Sequence, residues 1–373
     1  MLSKRNSPAE IRSILVYVSS DADNALGENV LKLPLLLALA EAFPAARIVW
    51  APGTGGEFYL RDKLAPLVGG RIAEFVTDLA IPVQPAAALR LAWRRGHPIL
   101  DRHFDLIVDA QRNFGRTLFL RRIPHRRFIS GTWRYVWSSA APPPGLSRRP
   151  SLLVDKLLGL AAAAAGEPIA VPNPIPLPPG LQARAAALLP PGLGYVGLAP
   201  GAGNRQNGKR WPLEAYIALA RLQVDRGRLP VFLLGPEEAR EWHAGLHEAV
   251  PEALFPEQQQ AATGLGPTLT AALGERLTAA VANCSGTGHL LAAGGAPMVS
   301  LYGPTRPEKY APFARALICL KAQDYGGDRI EAIPLEAVAA AVERQVAIGP
   351  AAPLAREPQL GRPYAVIGAD FGR

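Results

Sequence analysis

Residues 283–304 have the sequence NCSGTGHLLAAGGAPMVSLYGP, which predicts a small-residue turn, a short helix, a glycine turn and a buried strand. Ser285 and Thr287 are residue types that cap helix N-termini, and His289 follows them in the predicted first turn. The short apolar run at 297–301 is typical of a buried parallel strand. Because the unpaired N–H groups of a helix N-terminus attract anions, the stretch fits a diphosphate site. It also fits an ordinary strand-to-helix connection with glycines for close packing.

The same alternation of buried strands and helices continues outward through both halves of the chain. It is typical of an α/β protein with doubly wound parallel sheets. A proline-rich segment at 140–193, which contains an alanine-rich helix, predicts a connector without a core of its own. Strands are predicted at 14–18, 47–51, 72–76, 104–109, 123–129, 195–199 and 229–234. Helices are predicted at 30–43, 57–68, 213–226, 238–249, 268–280 and 334–346, with a polar turn at 24–29 before the first.

The composition describes a globular protein, since 49% of the 373 residues are hydrophobic and 19% are charged. No apolar run reaches the roughly 20 residues that span a bilayer, and the first residues lack a secretory signal, so we expect a cytoplasmic protein. Cys284 and Cys319 are the two cysteines, and we expect both to be reduced thiols. No Cys/His cluster has the spacing of a zinc site, so we expect neither a metal ion nor a cofactor.

The charge is strongly positive, with a formal net charge of +9 and arginines concentrated between residues 90 and 134. Such a surface fits nucleic acid, anionic lipid or a phosphorylated acceptor, or it is simply a solvated arginine-rich face. Aromatic residues including Trp93 and Trp133 lie in the same region, but no nucleic-acid-binding motif accompanies them. We therefore expect no nucleic-acid partner.

Three polar loops of the second half follow predicted strands, at 200–210, 235–238 and 283–289. In a doubly wound sheet, loops at the carboxyl ends of strands converge on one crevice. Asn204 and Lys209 in the first loop suit phosphate charge, and Glu238 in the second suits ribose hydroxyls. With the anion-binding turn they suit a nucleotide diphosphate, and a nucleotide sugar fits better than ATP because no Walker or kinase signature is present.

Glu28 lies in a predicted turn between the first strand and the first helix. A carboxylate in this position can act as a general base toward an attacking hydroxyl. Alternatively, its charge only complements the dipole of the helix that follows.

The chain resembles glycosyltransferase family 9, the ADP-heptose:lipopolysaccharide heptosyltransferases. The matching stretches are the Leu26-Gly27-Glu28 turn, FDLIVDAQ, PGAGNRQNGKRWP, LLGPEE and NCSGTGHLLAAGGAPMVSLYGPT. The resemblance implies a GT-B fold, in which two Rossmann-like doubly wound parallel-sheet domains face a cleft. It divides the chain into an acceptor-binding domain with connector at 1–180, a nucleotide-sugar-binding domain at 181–346 and a tail at 347–373.

The resemblance also implies roles for individual residues. Lys209 would contact the donor phosphates and Glu238, or Glu237, the ribose. Glu28 matches the family's general-base aspartate, and Cys284 stands where the family has an aspartate that holds the donor sugar. The diphosphate turn would be formed by Ser285, Gly286, Thr287 and His289.

The implied activity is inverting, metal-independent transfer of heptose or a related sugar from a nucleotide-diphosphate donor. The implied acceptor is an anionic glycolipid or glycan of the lipopolysaccharide core, reached by peripheral contact with the inner face of the plasma membrane. Because a thiol is a poor acceptor, Cys284 keeps a second hypothesis open, a degenerate non-catalytic protein that binds nucleotide sugars. A third, a GT-B-like epimerase of nucleotide sugars, is disfavoured because the motifs cover both halves.

Overall fold

The computed structural model describes residues 11–18, 25–53, 59–93, 97–202, 208–259 and 262–348, together with two short strands near the C-terminus. Within these residues the chain forms two compact units that divide between Val171 and Pro172. The boundary predicted at residue 180 falls inside a helix at Pro179–Leu188, which packs against another helix of the second unit. No described helix combines the length and apolar content needed to cross a membrane.

The first unit contains a five-stranded parallel sheet with strand order β3-β2-β1-β4-β5. The three central strands are nearly continuous apolar runs, as expected for strands covered on both faces, whereas the two edge strands are only partly buried, and all five predicted strands are confirmed. They are β1 (Ser13–Tyr17), β2 (Arg47–Ala51), β3 (Ile72–Phe75), β4 (Phe104–Asp109) and β5 (His125–Ser130).

Helices connect these strands and contribute most of the remaining core. They are α1 (Ala25–Ala42), α2 (Ala65–Val68), α3 (Pro85–Trp93), α4 (Phe114–Leu120) and α5 (Leu153–Ala165). The helix predicted at 57–68 is therefore wrong in length, since residues 59–64 form turns.

Helix α1 begins earlier than predicted, so the polar turn expected at 24–29 is wrong from residue 25 onward. Pro34 lies inside the helix, so the carbonyl of Val30 lacks the intrahelical N–H that another residue type would donate. The helix is buried on nearly all sides between Asn29 and Leu39, and this burial stabilises it despite the proline. Glu28 consequently lies in the first helical turn.

Helix α5 belongs to the core of the first unit, so the prediction of a connector without a core is wrong here. Residues 161–164 are four alanines with no exposed surface, and α5 packs along α1. Because alanine side chains are small, the two helix backbones can approach closely.

The second unit contains a six-stranded parallel sheet with strand order β13-β11-β10-β9-β7-β8. A short antiparallel pair joins β6 (Pro172–Asn173) to β12 (Leu354–Ala355). The sheet strands are β7 (Tyr195–Ala199), β8 (Leu229–Phe232), β9 (Ala279–Asn283), β10 (Met298–Tyr302), β11 (Leu317–Lys321) and β13 (Ala365–Val366). The helices are α6 (Pro179–Leu188), α7 (Leu213–Asp225), α8 (Pro236–Ala249), α9 (Pro267–Gly274), α10 (Gly286–Ala293), α11 (Pro307–Tyr310) and α12 (Leu335–Ile348).

The helix predicted at 268–280 is wrong beyond Gly274, because residues 279–283 form the buried strand β9. Because alanine favours helix, the run AAVAN at 279–283 was not predicted as a strand. Its strand conformation is set by hydrogen bonding to β7 on one side and β10 on the other. Helices α9 and α10 meet closely, since a Cβ on Gly294 would lie 1.8 Å from the carbonyl oxygen of Ala271.

Candidate active site

The three polar loops of the second unit do converge, at the carboxyl ends of the neighbouring strands β8, β7 and β9. Arg210, in the loop after β7, forms an ion pair with Glu238 at the start of α8, with 3.2 Å between Nη2 and Oε1. The same guanidinium donates to the carbonyl oxygen of Ala202. Asn204 of this loop lies outside the described residues.

Asn283, the last residue of β9, connects the loop after β9 to the loop after β7, and the sequence did not predict it. Its side chain is fully buried, and its Nδ2 donates to the carbonyl oxygen of Pro200 at 2.8 Å. Its Oδ1 accepts from the backbone N–H of Trp211 at 3.1 Å and from the Tyr216 hydroxyl at 3.3 Å. The sequence carried no signal for this residue because the run before it predicted a helix, although a buried amide needs several partners.

Helix α10 begins where residues 283–304 predicted a helix. Ser285 is its N-cap, and the serine Oγ accepts from the backbone N–H of Gly288 at 3.3 Å. Gly286 and Thr287, the first two helical residues, are partly exposed, so their N–H groups can reach a ligand. A Cβ on Gly288 would lie 3.0 Å from the Ala282 Cβ. The close-packing interpretation therefore holds at Gly288, and the anion-binding interpretation stays a prediction for Gly286.

His289 lies one residue further along α10, and only 8% of its surface is exposed. Burial lowers the pKa of the imidazole to about 4, so the ring is neutral near pH 7. Among the described residues, Nδ1 has no hydrogen-bond partner. The side chain can therefore offer a neutral hydrogen bond to a ligand.

Cys284 precedes the N-cap and is partly buried. Burial raises the pKa of the thiol to about 11, against the opposing effects of nearby Lys209 and a hydrogen bond with Thr305. The thiol is therefore neutral, as expected from the sequence. Lys209, which is half-buried, lies within electrostatic reach of this turn.

Glu238 is the carboxylate that the fold places among these loops. Its Oε1 would lie 3.0 Å from a Cβ on Gly201, and its Oε2 2.6 Å from a Cβ on Gly235, so both glycines make room for it. Glu237, the alternative, is exposed. The carboxylate of Glu238 has acceptor capacity beyond its ion pair with Arg210.

In the first unit, Glu28 is half-buried and follows β1 in the first turn of α1. This position is compatible both with a general base at the carboxyl edge of the sheet and with simple complementation of the helix dipole.

Asp109, the last residue of β4, anchors the same edge of the first sheet. It is fully buried, and its Oδ2 accepts from the hydroxyls of Thr117 at 2.6 Å and Ser130 at 2.8 Å. Its Oδ1 accepts from the backbone N–H of Gln111 at 2.9 Å. Burial raises the pKa of the carboxyl to about 6, although these hydrogen bonds and Arg116 oppose the shift.

The loop after β5 contains three consecutive non-glycine residues in the left-handed region, Trp133, Arg134 and Tyr135, with φ of 47°, 58° and 69°. Each such residue costs about 1–2 kcal/mol. Trp133 stacks on Phe114 with 4.8 Å between ring centroids and 13° between ring planes, yet it is 58% exposed. The sequence did not predict an exposed indole stacked on a second ring at the carboxyl edge of this sheet.

The described residues contain no group of three or more side chains that could hold a metal ion. The site residues that the sequence predicted fall into two sets. Lys209, Glu238 and residues 284–289 come together in the second unit, and Glu28 lies in the first.

Comparison with known proteins identifies the family. Residues 92–331 match the model of glycosyltransferase family 9 (heptosyltransferase). Lipopolysaccharide heptosyltransferase 2 of Salmonella typhimurium is 30% identical over 307 residues, which cover 78% of this chain and 83% of that relative.

Two solved structures show the same fold. A glycosyltransferase family 9 structure from Veillonella parvula has a TM-score of 0.61 at 18% identity and covers 91% of this chain and 98% of its own. An Escherichia coli heptosyltransferase solved with ADP has a TM-score of 0.58 at 18% identity, with coverages of 89% and 99%. The predicted GT-B fold with two parallel-sheet units is therefore confirmed. This chain belongs to glycosyltransferase family 9, the heptosyltransferase family, and is a glycosyltransferase.

Proposed function

We propose that the protein transfers heptose from ADP-heptose to an acceptor of the lipopolysaccharide core. The Salmonella typhimurium relative is named as a lipopolysaccharide heptosyltransferase, and the Escherichia coli structure contains ADP. The observation that carries the proposal is the convergence of three loops in the second unit. They bring the cation of Lys209 and a carboxylate, Glu238, together with the N-terminus of α10.

The donor's diphosphate would lie at the N-terminus of α10. There the N–H groups of Gly286 and Thr287 and the ammonium of Lys209 would stabilise the negative charge that develops as the diphosphate departs. Glu238 would accept hydrogen bonds from the ribose hydroxyls, while Arg210 holds its carboxylate in place. These groups supply the positive charge that a metal ion would otherwise provide, so the proposed reaction is metal-independent.

Glu28 would act as the general base. It would take the proton of the acceptor hydroxyl as that oxygen attacks the anomeric carbon, and the bond from this carbon to the diphosphate oxygen would break on the opposite face. A single displacement of this kind inverts the configuration at the anomeric carbon.

The acceptor would be an anionic glycolipid or glycan, bound by the arginine-rich first unit at the inner face of the plasma membrane. Cosedimentation with vesicles that contain anionic phospholipid tests the membrane contact. Binding that weakens as salt is raised would support it, and equal recovery with neutral vesicles would contradict it.

Thermal stabilisation by ADP, UDP, GDP and dTDP tests the donor site. A nucleotide at about 100 times its dissociation constant should stabilise the native protein by about 2.7 kcal/mol. We expect a shift with ADP that Lys209→Ala greatly reduces and that the control Lys63→Ala, in the first unit, leaves intact. Absence of a shift with every nucleotide would contradict the donor-site proposal.

A second candidate function is non-catalytic binding of nucleotide sugars, which the neutral thiol of Cys284 favours. It predicts a nucleotide shift without turnover of ADP-heptose, and activity that appears in Cys284→Asp. Turnover by the unaltered protein in the presence of a lipopolysaccharide acceptor would exclude it.

A further inference from the structure

The loop after β5 presents one aromatic ring to solvent in a fixed orientation. Trp133 is 58% exposed, and one face of its indole is covered by the parallel ring of Phe114. Trp137 contacts both rings, with its centroid 5.9 Å from each. The opposite face of the Trp133 indole therefore forms a rigid and open apolar surface.

The backbone that holds this ring is strained over three successive residues, and their conformation is enforced by neighbouring contacts. Tyr135 is buried against Gly159 of α5, and Thr132 is bonded to Ser130 and Thr117. Strain that persists because the surroundings enforce it is concentrated at ligand-binding sites.

The surroundings of the ring are cationic. Arg112 lies against Gly131 at the start of the loop, with its Nε 3.2 Å from the position of a Cβ there. Burial lowers the pKa of Arg112, and a second arginine, Arg149, lies close enough to lower it further. Arg134 is also exposed, so an anionic ligand would find complementary charge beside the indole.

The ring also lies on the edge where an acceptor has to bind. Phe114 is the first residue of α4, so the stacked pair lies at the carboxyl edge of the first sheet. Glu28 follows β1 at the same edge, and β4 separates β1 from β5. With strands about 4.8 Å apart, β1 and β5 are separated by roughly 10 Å, which a short oligosaccharide can span.

We propose that Trp133 is an acceptor-binding residue, whose open indole face stacks on a sugar ring of an anionic saccharide while Arg112 and Arg134 attract the saccharide's phosphate or carboxylate groups. This inference deepens the proposed function and rests on it for the identity of the acceptor. An exposed tryptophan beside arginines also fits the surface of an anionic membrane, and the test below separates the two.

The test measures binding of a delipidated lipopolysaccharide core oligosaccharide, which keeps its phosphates and carboxylates but has no acyl chains, by calorimetry. Trp133→Ala should weaken binding about tenfold, as is common for a truncated aromatic anchor, while Trp133→Phe should retain most of the affinity. The control is Trp93→Ala. Trp93 is 71% exposed and lies under the guanidinium of Arg122, but it ends α3. Because α3 leads into β4, this end lies toward the opposite edge of the sheet, and the control should bind as the unaltered protein does.

Unchanged affinity in Trp133→Ala, or no binding of the oligosaccharide to the unaltered protein, would overturn the inference. A second outcome would also overturn it: Trp133→Ala abolishes binding to anionic phospholipid vesicles but leaves oligosaccharide binding intact. The ring would then contact a membrane. Thermal stabilisation by ADP, measured on the same variants, keeps the two proposals apart. If ADP stabilises the protein but Trp133→Ala leaves oligosaccharide binding unchanged, this inference alone is refuted. If ADP gives no stabilisation, the donor site alone is refuted.

Discussion

Asp109 makes the stability of the first unit depend on pH in a direction that can be worked out from its surroundings. Its pKa is raised from 3.8 to about 6 by burial, so the folded state favours the protonated carboxyl. The stabilisation from this group is therefore complete below pH 3.8 and is lost as the pH rises through about 6. Raising the pKa of this carboxyl from 3.8 to about 6 corresponds to about 3 kcal/mol of folding free energy in full, of which about 2 kcal/mol is lost between pH 4.5 and 7.5.

Asp109→Asn should remove this dependence. The amide can still accept from Gln111, and its NH₂ can donate to the hydroxyls of Thr117 and Ser130 once these rotate. Relative to the unaltered protein, the variant should gain about 2 kcal/mol of stability between pH 4.5 and 7.5. Urea-dependent hydrogen exchange of amides in β4 and β5 measures this quantity for the first unit alone.

Asp105→Asn, in the same strand, is the matched control. Burial raises the pKa of Asp105, but hydrogen bonds from Arg12 and Ser13 together outweigh it and bring the net pKa below its ordinary value. Its contribution to stability is therefore already complete above pH 4.5, and the difference from the unaltered protein should be nearly flat over the same range. A flat difference for Asp109→Asn as well, or one of opposite sign, would refute the reasoning.

Three further predictions concern the second unit. The unaltered protein should lose about 3 kcal/mol of stability as the pH falls from 6.5 toward about 4, because the buried imidazole of His289 must then take up a proton, and His289→Gln should remove this loss. Urea unfolding at pH 7.5 and 4.5 measures the difference. An equal loss in the variant would count against a buried neutral imidazole. Asn283→Ala should destabilise the protein by about 2–4 kcal/mol and weaken ADP binding, because it leaves the Pro200 carbonyl and the buried N–H of Trp211 without partners. Normal calorimetric binding of ADP would contradict a role of Asn283 in holding the loops. Gly294→Ala should lower the free energy of unfolding by at least about 2–3 kcal/mol, because its Cβ would force α9 and α10 apart. The control Gly180→Ala, whose Cβ would have nothing within 4 Å, should be neutral or stabilising in the same denaturation assay. Equal effects of the two substitutions would refute the packing argument.

The sequence predicted all five strands of the first sheet and β7, β8 and β10 of the second, because most buried parallel strands are short apolar runs with few alternatives, but it missed β9, β11 and β13. The strands at 47–51, 104–109 and 195–199 have the predicted limits. It was less successful where local preference and tertiary packing disagree. The run AAVAN in β9 has the composition of a helix, and Pro34 has the character of a helix start, but packing decides both.

The convergence of the three polar loops and the capping serine of α10 could be predicted from the sequence, because these residues lie directly after predicted strands. The residues that support them could not. Asn283 acts through partners at Pro200, Trp211 and Tyr216, and no spacing rule connects these positions. The same is true of Trp133, whose left-handed backbone depends on contacts made by its neighbours and is disfavoured by its own residue type.

The measurement that tests the central claim most directly is the mass of a lipopolysaccharide core acceptor after incubation with the protein and ADP-heptose. The proposed function predicts that the acceptor gains the mass of one heptosyl group, that ADP is released in equal amount, and that Glu28→Gln abolishes both at unchanged ADP affinity. An acceptor of unchanged mass in the presence of a donor that demonstrably binds would contradict the account.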